Sequence, residues 1–97
     1  MLLKMGVSIE RLRPEIRKPL SAIDRLWIKI TRGEAVLTST YEGTHSPRSL
    51  HYANLAIDLR RPAERFQVLK PLQDELGKDF DIVMEPDHIH IEYDPKK

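Results

Sequence analysis

Cysteine is absent from the 97 residues, which excludes a disulfide framework, a thiolate metal site and a thiol nucleophile together. Any transition metal must be held by histidine and carboxylate. Aromatic residues are scarce at 6 %, so the core has to be built from aliphatic side chains. A surplus of one charge is lacking as well. Sixteen Lys and Arg face 15 Asp and Glu, a formal net charge of +1, which provides no field to gather a polyanion; nucleic acid is not an expected partner. No long apolar run occurs. The patch at residues 1–7 is broken by Lys4 and is far too short for a secretory h-region or a membrane span. The expectation is a soluble chain made in the cytoplasm with no membrane partner, which needs another route than a signal peptide to reach a substrate outside. Its length predicts one domain over residues 1–97.

Ser8 is placed to cap a helix carrying Ile9, Leu12 and Ile16. Pro14 and Pro19 interrupt that stretch, so the spacing predicts a short helix and then a second one starting near Pro19. In the second, Leu20, Ile23, Leu26, Trp27 and Ile30 form one apolar stripe, with Trp27 as a core anchor, and Gly33 ends it. Residues 34–41 have the β-branched content of a strand, residues 42–48 read as loop, and residues 55–59 as a second strand. Pro62 opens a helix with Phe66, Val68, Leu69, Leu72 and Leu76, stopped by Gly77. Residues 80–84 and 88–93 form a final pair of strands joined by a hairpin turn at residues 85–87. The order α, β, β, α, β, β predicts an α+β fold, a small mainly antiparallel sheet with helices packed on one side.

All four histidines fall in two places: His45 and His51 in the centre, His88 and His90 near the end. Side chains alternate along a strand, so His88, His90 and Glu92 share one face and Ile89, Ile91 and Tyr93 the other. The two histidine Cα atoms are roughly 7 Å apart, which lets both rings reach one metal, or one bind while the other faces substrate. In the preceding strand Ala56 and Asp58 lie opposite Leu55, Ile57 and Leu59. Each of these polar residues alone is ordinarily a solvated group. In combination, neutral imidazoles and one carboxylate without thiols suit Zn2+ with a position left for water.

The stretch Ser49-Leu50-His51-Tyr52-Ala53-Asn54-Leu55-Ala56-Ile57-Asp58 resembles the Ser-x-His-x-x-Gly-x-Ala-x-Asp signature of the D-alanyl-D-alanine carboxypeptidase and hedgehog-type zinc peptidase superfamily, and His88-Ile89-His90 is similar to its second motif. The resemblance covers about half the chain, from Thr38 to Tyr93. It implies the hedgehog/DD-peptidase type of α+β fold, a zinc-dependent peptidase acting on bacterial cell-wall (peptidoglycan) peptides as carboxypeptidase or endopeptidase, and zinc ligands at His51, Asp58 and His90. It also implies Glu85 as acid/base, with His88 orienting or stabilising the oxyanion. The spacing Glu85-Pro86-Asp87-His88 also resembles the Glu-x-x-His form of the vancomycin-resistance dipeptidase branch, in which His88 would be the ligand; the complete His-x-His form favours His90. Asn54 stands where the family has Gly, a residue type that tolerates left-handed backbone. Glu42 stands where many members carry a substrate-clamping Arg, which leaves Arg48 or His45 to grip a carboxylate; Arg48 and Ser49 are the candidate substrate-binding residues. Small size and the lack of a signal peptide resemble a phage-encoded or cytoplasmic member.

Two other functions compete. One is a zinc-binding interaction module on the same fold, without turnover, as the changed clamp position suggests. The other is a nuclease of the His-hydrophobic-His class, disfavoured because Tyr93 falls on the opposite strand face from His88 and His90 and the net charge is near zero. Composition leaves the oligomeric state open.

Overall fold

Proline placement decides how the chain enters its first helix. In the computed structural model, which describes residues 1–40 and 54–95, Pro14 occupies the first position of a single-turn helix, α1 (Pro14–Arg17), and Arg13 before it is extended at φ −69°, ψ 153°. A residue preceding proline is driven out of the helical region, so the helix expected to start at Ser8 does not form. Residues 10 and 11 turn instead. Leu12 donates its N–H to the Ile9 carbonyl at 3.1 Å, and the Ser8 hydroxyl accepts the Glu10 N–H at 3.3 Å, capping a turn. Leu12 and Ile16 are nevertheless buried as their spacing predicts.

The second helix, α2 (Leu20–Thr31), buries Leu20, Ile23 and Trp27, so the apolar stripe and the Trp27 anchor hold. Its left-handed C-terminal residue is Arg32, at φ 63°, one position ahead of the expected Gly33. The third, α3 (Arg65–Leu76), begins three residues after Pro62 and carries Pro71 in its interior. Pro71 has no N–H to return to Gln67 and removes one helical bond. Gly77, at φ 83° and ψ −173°, stops the helix in a backbone region open essentially to glycine alone.

Five strands make one sheet: β1 (Leu2–Leu3), β2 (Val36–Ser39), β3 (Ala56–Arg60), β4 (Phe80–Met84) and β5 (His88–Tyr93), in the order β1-β2-β3-β5-β4. The sheet is mixed rather than wholly antiparallel, because β1 runs parallel to β2 while the other neighbours are antiparallel. Two residues are too short to show a periodicity, which is why β1 has no signature in the sequence. The strand expected over residues 34–41 is confined to β2, and its last residue, Tyr41, lies outside the described residues. The β4–β5 hairpin closes over Pro86-Asp87, with the Glu85 N–H donated to the His88 carbonyl at 2.9 Å.

The core forms on one side of the sheet. Leu37, Ile57, Leu59, Ile89 and Ile91 are fully buried against Ile16, Ile23, Trp27, Val68 and Leu72 from the helices. Each such aliphatic side chain contributes about 1.5–3 kcal/mol by leaving water. The molecule is an α+β fold in which α2 and α3 cover one sheet face. Among the described residues no helix is long and apolar enough to cross a membrane.

Candidate metal centre

The sheet face turned away from that core carries the polar residues. On β3, Ala56, Asp58 and Arg60 alternate with the buried Ile57 and Leu59, and on β5 His88, His90 and Glu92 alternate with Ile89 and Ile91. The register sets Asp58 directly opposite His90, Arg60 opposite His88 and Ala56 opposite Glu92. Two residues separated by 32 positions therefore become cross-strand neighbours, with side chains on one face.

His90 Nδ1 lies 3.0 Å from Asp58 Oδ1, and His90 Nε2 lies 2.6 Å from Glu92 Oε1. His88 Nε2 lies 3.8 Å from the same Asp58 oxygen, while His88 Nδ1 is 2.6 Å from Asp87 Oδ1. The hydrogen bond to Asp58 is the largest influence on His90 and holds its imidazole above the ordinary pKa of 6.5; burial opposes this, and Glu92 reinforces it. The exposed Asp87 carboxyl is held below its ordinary value chiefly by its hydrogen bond to His88.

The surroundings fix Asp58 in place. Asp58 is 8 % exposed, and the Thr38 hydroxyl donates to its carbonyl at 3.2 Å. The β2–β3 register shifts here, from Leu37 opposite Leu59 to Ser39 opposite Asp58, an irregularity of the kind that re-aims side chains beside functional sites. Beyond β2, the buried Thr40 donates its hydroxyl to the Ser8 carbonyl at 2.8 Å. Asn54 adopts φ 62°, the left-handed backbone expected where the signature has Gly, and its carbonyl accepts the Arg13 N–H at 3.0 Å. The N-terminal segment so anchors the residues on either side of the central stretch.

Of the expected site residues, Asp58, His88 and His90 are brought together. Glu85 follows β4 and pairs with His88 across the hairpin, which puts it on the same sheet face. His51, Arg48, Ser49 and His45 lie outside the described residues. Tyr93 packs edge-on against Phe80, with ring centroids 5.3 Å apart, and belongs to the opposite strand face from His88 and His90.

The donor chemistry fits zinc. Two ligands at about 2.0–2.1 Å from a tetrahedral ion are about 3.3 Å from each other, close to the 3.0 Å between Asp58 Oδ1 and His90 Nδ1. Among the described residues, a triad of donor atoms all within 4.8 Å of one another occurs at Asp81, Glu92 and Asp94. The two imidazoles and Asp58 do not close into such a triad, so this part of the site offers one carboxylate and one imidazole at ligand spacing. Neither the acidic triad nor the tie between Glu92 and His90 has a signature in the sequence. Alternation does put Glu92 on the histidine face, but nothing local shows that its carboxylate reaches His90. No protein-family model, curated protein or solved structure matches the chain.

Proposed function

We propose that the chain is a zinc-dependent peptidase of bacterial cell-wall peptides on a hedgehog-type α+β scaffold. His51, Asp58 and His90 are its ligands and Glu85 its acid/base. The observation that supports the metal centre most is the meeting of Asp58 and His90 at ligand spacing on neighbouring strands. The substrate class rests on the resemblance of the two motifs to that superfamily.

The ion, when bound, lowers the pKa of a coordinated water toward neutrality. The residues around it divide the remaining work. Asp58 and His90 hold their donor atoms on a rigid sheet rather than on a loop, which keeps the site preorganised. Glu85, at the hairpin end of the same face, is the carboxylate that takes a proton from the attacking water and returns it to the leaving amine. His88, with Nδ1 tied to Asp87, presents Nε2 to the face and stabilises the developing oxyanion.

Zinc content and hydrolysis of a panel of peptidoglycan fragments test this together. The wild type is expected to bind one zinc and to lose hydrolysis with chelator. His51→Ala, Asp58→Ala and His90→Ala are expected to lose the ion. Glu85→Gln is expected to keep the ion while turnover falls about 10²–10⁴-fold, the usual weight of a general base. Full zinc occupancy without hydrolysis of any fragment overturns the peptidase in favour of a zinc-binding interaction module.

A further inference from the structure

A histidine that binds a metal through one nitrogen nearly always donates the N–H of the other to a carboxylate, a carbonyl or water, which fixes the tautomer and the ring orientation. In this protein the two histidines of the pair are tied at opposite nitrogens. His90 is tied at Nε2 by Glu92 at 2.6 Å and directs Nδ1 to Asp58. His88 is tied at Nδ1 by Asp87 at 2.6 Å and directs Nε2 to the same Asp58 oxygen. The two ties differ in quality. The Glu92 side chain is 23 % exposed, whereas that of Asp87 is 87 % exposed and is free to exchange its bond for water.

We infer that Glu92 is the positioning residue of the metal centre: by accepting the Nε2 proton of His90 it makes Nδ1 the ligating atom and selects His90 over His88 as the third ligand. This rests on the zinc reading above and deepens it. A ligating Nδ1 would have to be free of its proton, while the Nε2–H would stay on the His90 ring, donated to Glu92. A carboxylate at position 92 also orients the ring, because it stands on the same strand face and holds Nε2 at 2.6 Å.

The test uses the full chain with zinc ion as the only probe. Long-range ¹H–¹⁵N spectra of the zinc-loaded wild type are expected to show His90 protonated at Nε2 and metal-bound at Nδ1. Competition with a chelator is expected to show zinc binding about 10–100-fold weaker in Glu92→Ala, the usual cost of losing such a partner. Glu92→Gln, whose amide oxygen still accepts the Nε2–H, is expected to recover most of that loss, a rescue that a merely structural role would not produce. Zinc on Nε2 of His90, zinc on His88, or an affinity in Glu92→Ala within about twofold of wild type overturns the inference. If Glu92→Ala does not fold, the wild-type spectra and Glu92→Gln decide it. A zinc-loaded protein with the expected tautomer but no hydrolysis removes the peptidase reading alone. A wild type that binds no zinc removes both.

Discussion

Replacing Asp58 by Asn removes a charge and little else, since the two side chains have nearly the same shape. In the metal-free protein Asp58 Oδ1 accepts a hydrogen bond from His90 Nδ1–H at 3.0 Å, with the two side chains only 12 % and 17 % exposed, so solvent screens the pair weakly. A hydrogen bond to a charged group contributes about 1.5–3 kcal/mol and a neutral one about 0.5–1.5 kcal/mol. The carboxylate therefore supplies roughly 1–1.5 kcal/mol more than an amide. For a domain of this size that difference lowers Tm by roughly 4–12 °C. The pH dependence has a definite sign. His90 is held above its ordinary 6.5 chiefly by Asp58, so the stabilisation is complete below that value and is lost as pH rises through the folded pKa. Metal-free wild type and Asp58→Asn, followed by circular dichroism, are expected to differ most at about pH 6 and less at an alkaline pH above the folded pKa. A Tm difference that is the same at both pH values refutes the pairing of His90 with Asp58.

Two further outcomes follow from other parts of the chain. The Met1 ammonium contacts Asp24 at 2.8 Å and Glu34 at 3.1 Å, and Asp24 also accepts the N–H of the buried Ala35 at 3.1 Å; its pKa is raised above 8.0, chiefly by the hydrogen bond to Asp24. That stabilisation is present below about pH 8 and lost as pH rises through the folded value, and Asp24→Ala is expected to cost about 1–3 kcal/mol in urea unfolding and to remove this contribution to the alkaline sensitivity while leaving that of His90. Gly77→Ala is expected to cost about 1–3 kcal/mol, because no other residue type sits comfortably at φ 83°, ψ −173°. The space around Gly77 is open, so a loss this size in thermal unfolding reports backbone strain rather than a clash.

Much of the element pattern follows from local chemistry. The stripe Leu20, Ile23 and Trp27 is buried as its spacing requires, and the alternation along β5 buries Ile89 and Ile91 while His88, His90 and Glu92 stay half-buried on the other face. Departures from that pattern also have local causes. The stretch after Ser8 has helical spacing, but Pro14 holds Arg13 extended and confines the helix to α1. In β1 only two residues pair, and they do so because β2 happens to lie beside them.

The covalent order of residues sufficed to put His88 and His90 on one strand face and Asp58 on one face of another, because side-chain direction in a strand alternates whatever the strand later packs against. That β3 lies beside β5 rather than β4, and that Asp58 is in register with His90 while Arg60 is in register with His88, came from the folded arrangement. Strand order and register are settled by which sheet face the helices can cover, a competition among contacts far apart in the chain. The reach of Glu92 to His90 Nε2 belongs to the same category. It depends on rotamers chosen by neighbours on three strands, and no spacing between residues 58, 90 and 92 contains it.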